Sequence, residues 1–175
     1  MAPAATLVVG PSWVGDMVMA QALFKYLKAE QPDRDVDVLA PAWSLPIVAR
    51  MPEIRDGIAA DTGHGELGLG KRREIGKRLK GRYERAIVLP RSLKSALVPW
   101  FARIPQRTGF RGETRYGLIN DMRPFDKSVL DQTVKRYVAL GPAAEAGLPD
   151  IPEPGLRVSA ANQAEALDRL GLVTD

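Results

Sequence analysis

One stretch near the N-terminus places an acid where a ligand is expected to bind. Residues 10–16, with the sequence GPSWVGD, lie between a short apolar run at 6–9 and an apolar stretch of helical character at 17–28. This order predicts a strand, a tight loop and a helix start. In an α/β protein such a loop lies at the carboxyl edge of the sheet, where ligands usually bind.

Asp16 stands where the predicted helix begins, and two roles are open for it. As a structural residue, it would cap exposed N–H groups and interact favourably with the helix dipole. As a catalytic residue, it would be a general base that removes a proton from a substrate hydroxyl. The helix start alone favours the cap, and the two roles can coexist.

The same loop differs from the known phosphate-binding loops. Gly10 and Gly15 have the spacing of G-x-x-x-x-G-K-[ST], but Asp16 and Met17 stand where that loop needs a lysine and a hydroxyl. A dinucleotide fingerprint is absent, and Pro11 lacks an N–H near the place where a pyrophosphate would dock. We therefore expect that this loop is not a phosphate-binding site.

Positive charge is concentrated in the middle third of the chain. Residues 71–127 hold 16 Lys/Arg and 5 Asp/Glu, a net charge of +11, against −4 for residues 1–70 and −3 for residues 128–175. On a predicted helix at 66–82 these cations indicate a solvated face. In predicted loops, where like charges repel one another, they favour an anionic ligand.

Two predicted loops carry such cations. Residues 91–95, RSLKS, follow a predicted strand at 86–90, and residues 111–117, RGETRYG, follow one at 106–110. The arginines of the second loop suit bidentate contact with a carboxylate or phosphate. Salt bridges to Glu113 and Asp121 that knit the loop together are the structural alternative.

Composition limits the class of protein. The chain has 175 residues, 45% hydrophobic and 26% charged, which fits one soluble globular domain. The absence of cysteine excludes thiol catalysis and cysteine metal sites, and His64, between two glycines, is the only histidine. No basic flank precedes the first apolar run, and no run approaches the roughly 20 residues of a membrane-spanning helix. We expect a cytosolic protein.

The elements that must position these groups alternate along the chain. Strands are predicted at 6–9, 36–41, 58–60, 86–90 and 106–110. Helices are predicted at 17–28, 42–51, 66–82, 128–140 and 160–170, and a further helix is opened by residues 91–95 and runs to about residue 103. This alternation predicts an α/β fold with a Rossmann-like parallel sheet and helices on both faces.

Five segments together resemble the lipopolysaccharide heptosyltransferase family: GPSWVGDM (10–17), APAW (40–43), GHG (63–65), VLPRSLKSALVP (88–99) and RTGFRGETRYGL (107–118). The resemblance extends from residue 6 to about residue 141. It implies the N-terminal half of a GT-B glycosyltransferase, with an acceptor-binding domain at 1–157. A helix at 158–175 would lead toward a C-terminal nucleotide-sugar domain that the chain lacks, so the chain alone is expected to be inactive.

The resemblance also implies an activity. Heptose would pass from ADP-L-glycero-D-manno-heptose to the inner-core heptose of Kdo-lipid A with inversion, without a cofactor or an obligatory metal. Asp16 matches the family's proposed general base, which reverses the preference for a cap. The donor would be held mainly by the missing domain, and the protein would be cytoplasmic and peripheral to the inner membrane, with no nucleic-acid partner.

An acceptor that carries Kdo carboxylates and phosphates matches the charge of the basic middle third. The residues expected to bind it are Ser12, Trp13, Gly15, His64, Lys71, Arg72, Arg73, Arg91, Ser92, Lys94, Arg111, Arg115 and Tyr116. The alternative function is a basic Rossmann-like nucleic-acid or nucleotide-binding module, in which Tyr83, Phe110 and Tyr116 accompany the cations. It leaves Asp16 without a role.

Overall fold

A six-stranded parallel sheet forms the centre of the protein. The computed structural model describes residues 5–60 and 67–172, and all strand positions refer to these ranges. The strands are β1 Ala5–Val9, β2 Asp35–Ala40, β3 Asp56–Ala59, β4 Arg85–Val88, β5 Gln106–Phe110 and β6 Asp121–Arg123. Their order is β3-β2-β1-β4-β5-β6, with Val8 of β1 opposite Val38 of β2 and Ile87 of β4.

Helices cover both faces of this sheet. They are α1 Val14–Glu30, α2 Leu45–Val48, α3 Leu69–Leu79, α4 Leu97–Phe101, α5 Thr133–Val138 and α6 Ala160–Leu170. Short 3₁₀ segments at Ala42–Ser44 and Leu93–Ala96 precede α2 and α4. Within the described ranges, no helix is long and apolar enough to cross a membrane.

Alternate side chains of the central strands build two apolar cores. Val8 and Ile87 pack in the core on the side of α1 and α5. Leu7 and Val88 pack in the core on the side of α3 and α4. Because successive side chains of a strand point to opposite faces, the continuous apolar runs predicted as buried strands fill both cores.

The strand order reverses beside β1, and this reversal opens a crevice. The helix after β1 lies on one face of the sheet, whereas the helix after neighbouring β4 lies on the other. Loops at the carboxyl ends of these two strands therefore diverge, which is where α/β sheets usually bind ligands. The loop at 10–16 and the segment beginning at Arg91 flank this crevice.

The predicted fold class is confirmed, and several element boundaries are corrected. The strand at 106–110 and the helix at 160–170 have their predicted bounds. The helix predicted at 42–51 is instead a 3₁₀ turn followed by a four-residue helix. The helix predicted at 128–140 is shortened to α5, and the short sixth strand was not predicted.

Candidate active site

Asp16 lies in the first turn of α1 and is half-buried. The N-cap residue of this helix is Trp13, which makes no side-chain capping bond. In the part of the chain that the structure describes, the Asp16 carboxylate takes part in no hydrogen bond or ion pair. The structural role predicted for Asp16 is thus limited to the favourable interaction of its charge with the positive end of the helix.

The loop before Asp16 is held from two sides. Gly10 donates its backbone N–H to the Leu39 carbonyl at 2.9 Å, and a Cβ at Gly10 would lie 2.6 Å from Cε of Met17. The indole N–H of Trp43 donates to the Ser12 carbonyl at 3.0 Å. These contacts fix the path of the loop, while Trp13 is left 73% exposed.

Asp16 borders a cavity of about 220 Å³. The walls come from the segment after β4, the end of β5, the loop before α5 and α5 itself. The other lining residues are Leu89, Arg91, Phe110, Phe125, Thr133, Arg136 and Tyr137. The carboxylate therefore faces an open pocket that two guanidinium groups border.

Phe125 fixes both of these arginines. Its ring centroid lies 4.5 Å from Cζ of Arg91 and 5.4 Å from Cζ of Arg136, and the ring packs edge-on against Phe110 at 5.3 Å. Arg136 also donates from Nε to the Leu130 carbonyl at 2.9 Å. Cation–π contact and hydrogen bonding thus hold two positive charges beside the pocket, an arrangement suited to an anionic ligand.

Tyr137 adds a neutral polar group to the same pocket. Burial raises the pKa of its hydroxyl above the ordinary value, and the nearby negative charge of Asp16 raises it further. Both effects disfavour the phenolate. At neutral pH the pocket therefore combines one carboxylate, two guanidinium groups and a protonated phenol.

Arg115 has a different role from the predicted one. It is only 1% exposed, and its guanidinium donates to the Pro90 carbonyl at 2.8 Å and to the Phe110 carbonyl. Burial lowers its pKa below the ordinary value for arginine. The expected contact between Arg115 and the acceptor is therefore wrong, because this side chain ties together the chain segments after β4 and β5.

Glu113 joins these segments in a second way. Its backbone N–H donates to the Arg91 carbonyl at 3.2 Å, and its carboxylate accepts the backbone N–H of Leu93 at 2.8 Å. Arg91 donates from Nε to the Arg111 carbonyl at 3.2 Å. The predicted alternative, a loop knitted by salt bridges of Glu113 and Asp121, is wrong for the described residues. Hydrogen bonds with backbone groups hold the loop, and Asp121 pairs with Arg123 outside it.

The other predicted site residues fall into separate places. Arg72 is 8% exposed and donates to the Leu67 carbonyl at 2.8 Å, and the acceptor contact expected of it stays a prediction. Arg73 lines a different cavity. His64 lies outside the described residues. Those that do not line the Asp16 cavity are Ser12, Trp13, Gly15, Lys71, Ser92, Lys94, Arg111 and Tyr116.

Some of these remain close to the site along the chain. Ser12, Trp13 and Gly15 are exposed on the loop that leads to Asp16, and a Cβ at Gly15 would meet no atom within 4 Å. Arg111 is exposed beside Arg91. Sequence reasoning missed Phe125, Thr133, Arg136 and Tyr137, which lie on α5 or in the loop before it, where no motif or cluster of charge marks them.

The sheet is doubly wound, and an unpaired acid and two arginines lie where its strand order reverses. This arrangement defines a Rossmann-like ligand-binding domain. Residues 72–174 match the model of glycosyltransferase family 9 (heptosyltransferase). The chain belongs to this family, as the resemblance of its motifs implies.

Individual relatives agree with this assignment. The chain is 53% identical over 153 residues to lipopolysaccharide heptosyltransferase 2 of Salmonella typhimurium, covering 85% of this chain and 43% of the relative. It is 47% identical over 171 residues to lipooligosaccharide heptosyltransferase 2 of Haemophilus influenzae, covering 93% and 48%. The structure of Escherichia coli ADP-heptose lps heptosyltransferase II matches with a TM-score of 0.86 and 43% identity over 97% of this chain and 51% of that one. The chain spans about half the length of these relatives.

Proposed function

We propose that this chain is the acceptor-binding half of an inverting heptosyltransferase. In the whole protein, heptose would pass from ADP-L-glycero-D-manno-heptose to the inner-core heptose of Kdo-lipid A. The relatives named for this activity support the proposal. The observation that carries it is the unpaired Asp16 carboxylate on an open cavity beside Arg91 and Arg136.

Asp16 acts as the general base in this proposal. Its carboxylate takes the proton from the acceptor hydroxyl as that oxygen attacks the anomeric carbon of the donor. The bond between the sugar and ADP breaks, and ADP leaves with the bonding electrons. Attack from the face opposite the leaving group inverts the configuration at the anomeric carbon.

The acceptor is gripped through its negative groups. Arg91 and Arg136 offer fixed guanidinium groups to Kdo carboxylates or to phosphates, and exposed Arg111 extends this surface. Exposed Trp13 stacks on a sugar face. Because lipid A is anchored in a membrane, the protein works at the cytoplasmic surface of the inner membrane.

The alternative nucleic-acid-binding function lacks a matching surface. Two of the three aromatic residues expected to stack on bases are buried, Tyr83 at 4% and Phe110 at 3% exposure. Base stacking needs accessible aromatic faces. Tyr116 alone keeps such a face, at 63% exposure.

Replacement of Asp16 tests the proposed mechanism. In a full-length protein that contains this half, we expect Asp16→Asn and Asp16→Ala to lower kcat roughly 10²- to 10⁴-fold, the range for loss of a general base. Asp33→Asn, an exposed acid beyond the end of α1, is the matched control and should leave kcat within about twofold, because it touches no pocket residue. Circular dichroism checks folding, and near-normal turnover of the Asp16 variants would remove this residue from the mechanism.

A further inference from the structure

A second and larger cavity lies far from Asp16. It has a volume of about 590 Å³ and lies between the end of α3 and the end of α4. Because α3 ends at Leu79 and the chain after α4 leads into the first residue of β5, the cavity lies at the amino edge of the sheet. The lining residues that matter here are Arg73, Lys77, Lys80, Trp100, Arg103 and Arg107.

Four of these side chains are exposed cations. Arg73, Lys77 and Lys80 are separated by four and three residues, which places them on one side of α3 and its end. Arg103 faces them from the end of α4. Among the residues that the structure describes, none of the four side chains forms an ion pair. The rim of the cavity is therefore positively charged, and no acidic side chain of the described residues pairs with these cations.

The walls of the cavity are firmly held. A Cβ at Gly76 would lie 2.5 Å from Cβ of Phe101, so α3 and α4 approach closely beside the cavity. Arg107 donates from Nε to the Leu118 carbonyl at 2.7 Å and from Nη1 to the Ile104 carbonyl. Arg107 thus supports the wall, and the four exposed cations are left to face solvent.

Arg103 occupies an unusual backbone conformation. Its φ of 54° lies in the left-handed region, where a residue without a Cβ would be less strained. Helices commonly end with glycine in this conformation. At this position the chain has a cation despite the strain, and this residue lines the cavity. Because glycine would fit this turn with less strain, the presence of arginine points to a role for its side chain.

Trp100 indicates which kind of partner binds at this cavity. Its indole is 45% exposed and packs edge-on against Phe101, with ring centroids 5.0 Å apart. Tryptophan favours the interface between membrane and water, and clustered lysines and arginines attract anionic headgroups. A nucleic-acid surface would instead need several aromatic faces along a groove. We propose that this cavity docks the protein on the phosphate headgroups of an anionic membrane.

This inference deepens the membrane location in the proposed function by naming the surface responsible, but it does not depend on heptose transfer. Vesicles of phosphatidylcholine and phosphatidylglycerol, without any acceptor, are the probe. We expect the double variant Lys77→Gln/Lys80→Gln to lower vesicle affinity roughly 20- to 30-fold at low salt, because each cation at a membrane surface contributes about fivefold. The Asp16→Asn variant should bind normally, which separates a failure of docking from a failure of catalysis.

The matched control removes the same charge from the same region. Arg78→Gln/Arg82→Gln replaces two exposed cations that do not line the cavity, and we expect an affinity loss below about threefold. Equal losses in the two double variants would overturn the proposal, because they would indicate diffuse attraction. Tighter binding of an oligonucleotide than of vesicles at the same salt concentration would also overturn it, as would binding of free glycerol phosphate without binding of vesicles.

Fluorescence tests the depth of the contact. A Trp13→Phe/Trp43→Phe variant keeps Trp100 as the only one of the three tryptophans. We expect its emission to shift to shorter wavelength with vesicles that contain phosphatidylglycerol and to stay unchanged with phosphatidylcholine alone. Circular dichroism confirms folding. Unchanged emission in a sample that does bind would overturn the assignment of this cavity to the contact.

Discussion

Arg115 is among the largest side chains that the fold buries almost completely, and it determines how the loops beside the active site lie. Its guanidinium donates to the backbone carbonyls of Pro90, just after β4, and of Phe110, the last residue of β5. Carbonyl groups of irregular backbone that are buried without a donor are costly. Arg115 therefore replaces the hydrogen bonds that a regular element would supply, and the position of Arg91 depends on it.

Replacement of Arg115 should destabilise the chain strongly. Arg115→Met keeps much of the length but removes every donor, and we expect the free energy of unfolding to fall by about 3 kcal/mol. Arg111→Met, which changes an exposed arginine in the same loop, should cost less than about 0.5 kcal/mol. Urea unfolding followed by circular dichroism measures both. Similar values for the two variants would show that the buried guanidinium does not hold the loops.

The same residues show how far a sequence can predict a site. Asp16 and Arg91 were predicted because each follows an apolar strand, and parallel strands bring their carboxyl ends to one edge. Arg136 and Tyr137 were not predicted, because a short helix distant in the chain gives no sign of the pocket it borders. Arg115 was placed wrongly, since a glycine-flanked loop does not reveal whether its arginine faces solvent or carbonyl groups.

At the scale of elements, the contact between α3 and α4 depends on one glycine. A Cβ at Gly76 would lie 2.5 Å from Cβ of Phe101 and 3.0 Å from the backbone nitrogen of Ala102. The second contact is with backbone, which cannot rotate away. Only a residue without a side chain allows this approach, and the approach shapes the wall of the basic cavity.

Alanine substitutions in α3 should therefore act in opposite directions. Alanine favours a helix over glycine by up to about 1 kcal/mol. At Gly76 the forced separation of α3 from α4 should outweigh this gain, and we expect a net loss of about 1 to 3 kcal/mol. Gly70→Ala has no atom within 4 Å of the new Cβ and should be neutral or stabilising. Thermal unfolding of both variants checks the signs, and stabilisation by Gly76→Ala would show that the helices can separate freely.

Elements were predictable where apolar pattern and length agreed. β5 and α6 have their predicted bounds, because Pro105 precedes β5, Ser159 caps the start of α6 and Gly171 follows its end. β6 was missed because it has three residues and no apolar run. It is held instead by polar contacts, with Asp121 accepting from Thr108 at 2.8 Å and pairing with Arg123 at 2.7 Å. Such contacts depend on tertiary placement and leave no periodic signal.

At the scale of the whole molecule, alternation of strands and helices predicted the parallel sheet and its two covered faces. It did not predict which strand lies beside which, because the position of β4 next to β1 follows from the long crossover through α3. The ligand crevice arises from that reversal. The fold class was thus accessible from the sequence, whereas the geometry of the site needed the strand order.

The last segment of the chain divides into a part that packs and a part that does not. Gln21 is fully buried and exchanges hydrogen bonds with the backbone of Gly155 at 2.9 and 3.1 Å. The backbone N–H of Arg157 donates to the Arg50 carbonyl at 2.8 Å. By contrast, α6 buries none of its residues. In this segment, the residues up to about 158 should therefore contribute to the stability of the domain, and the residues after it should contribute little.

Two truncations test this division. Removal of residues 159–175 should shift Tm by less than about 2 °C. The residues of α6 are exposed, so their removal uncovers little buried surface. Removal of residues 151–175 should cost about 3 kcal/mol or more, because it exposes partners of Ile151 and Leu156 and leaves the Gln21 amide without its backbone partners. Scanning calorimetry on both proteins measures the difference. A large loss from the shorter deletion would mean that α6 stabilises the domain despite its exposure, and equal Tm values for the two would mean that the Gln21 contacts contribute nothing.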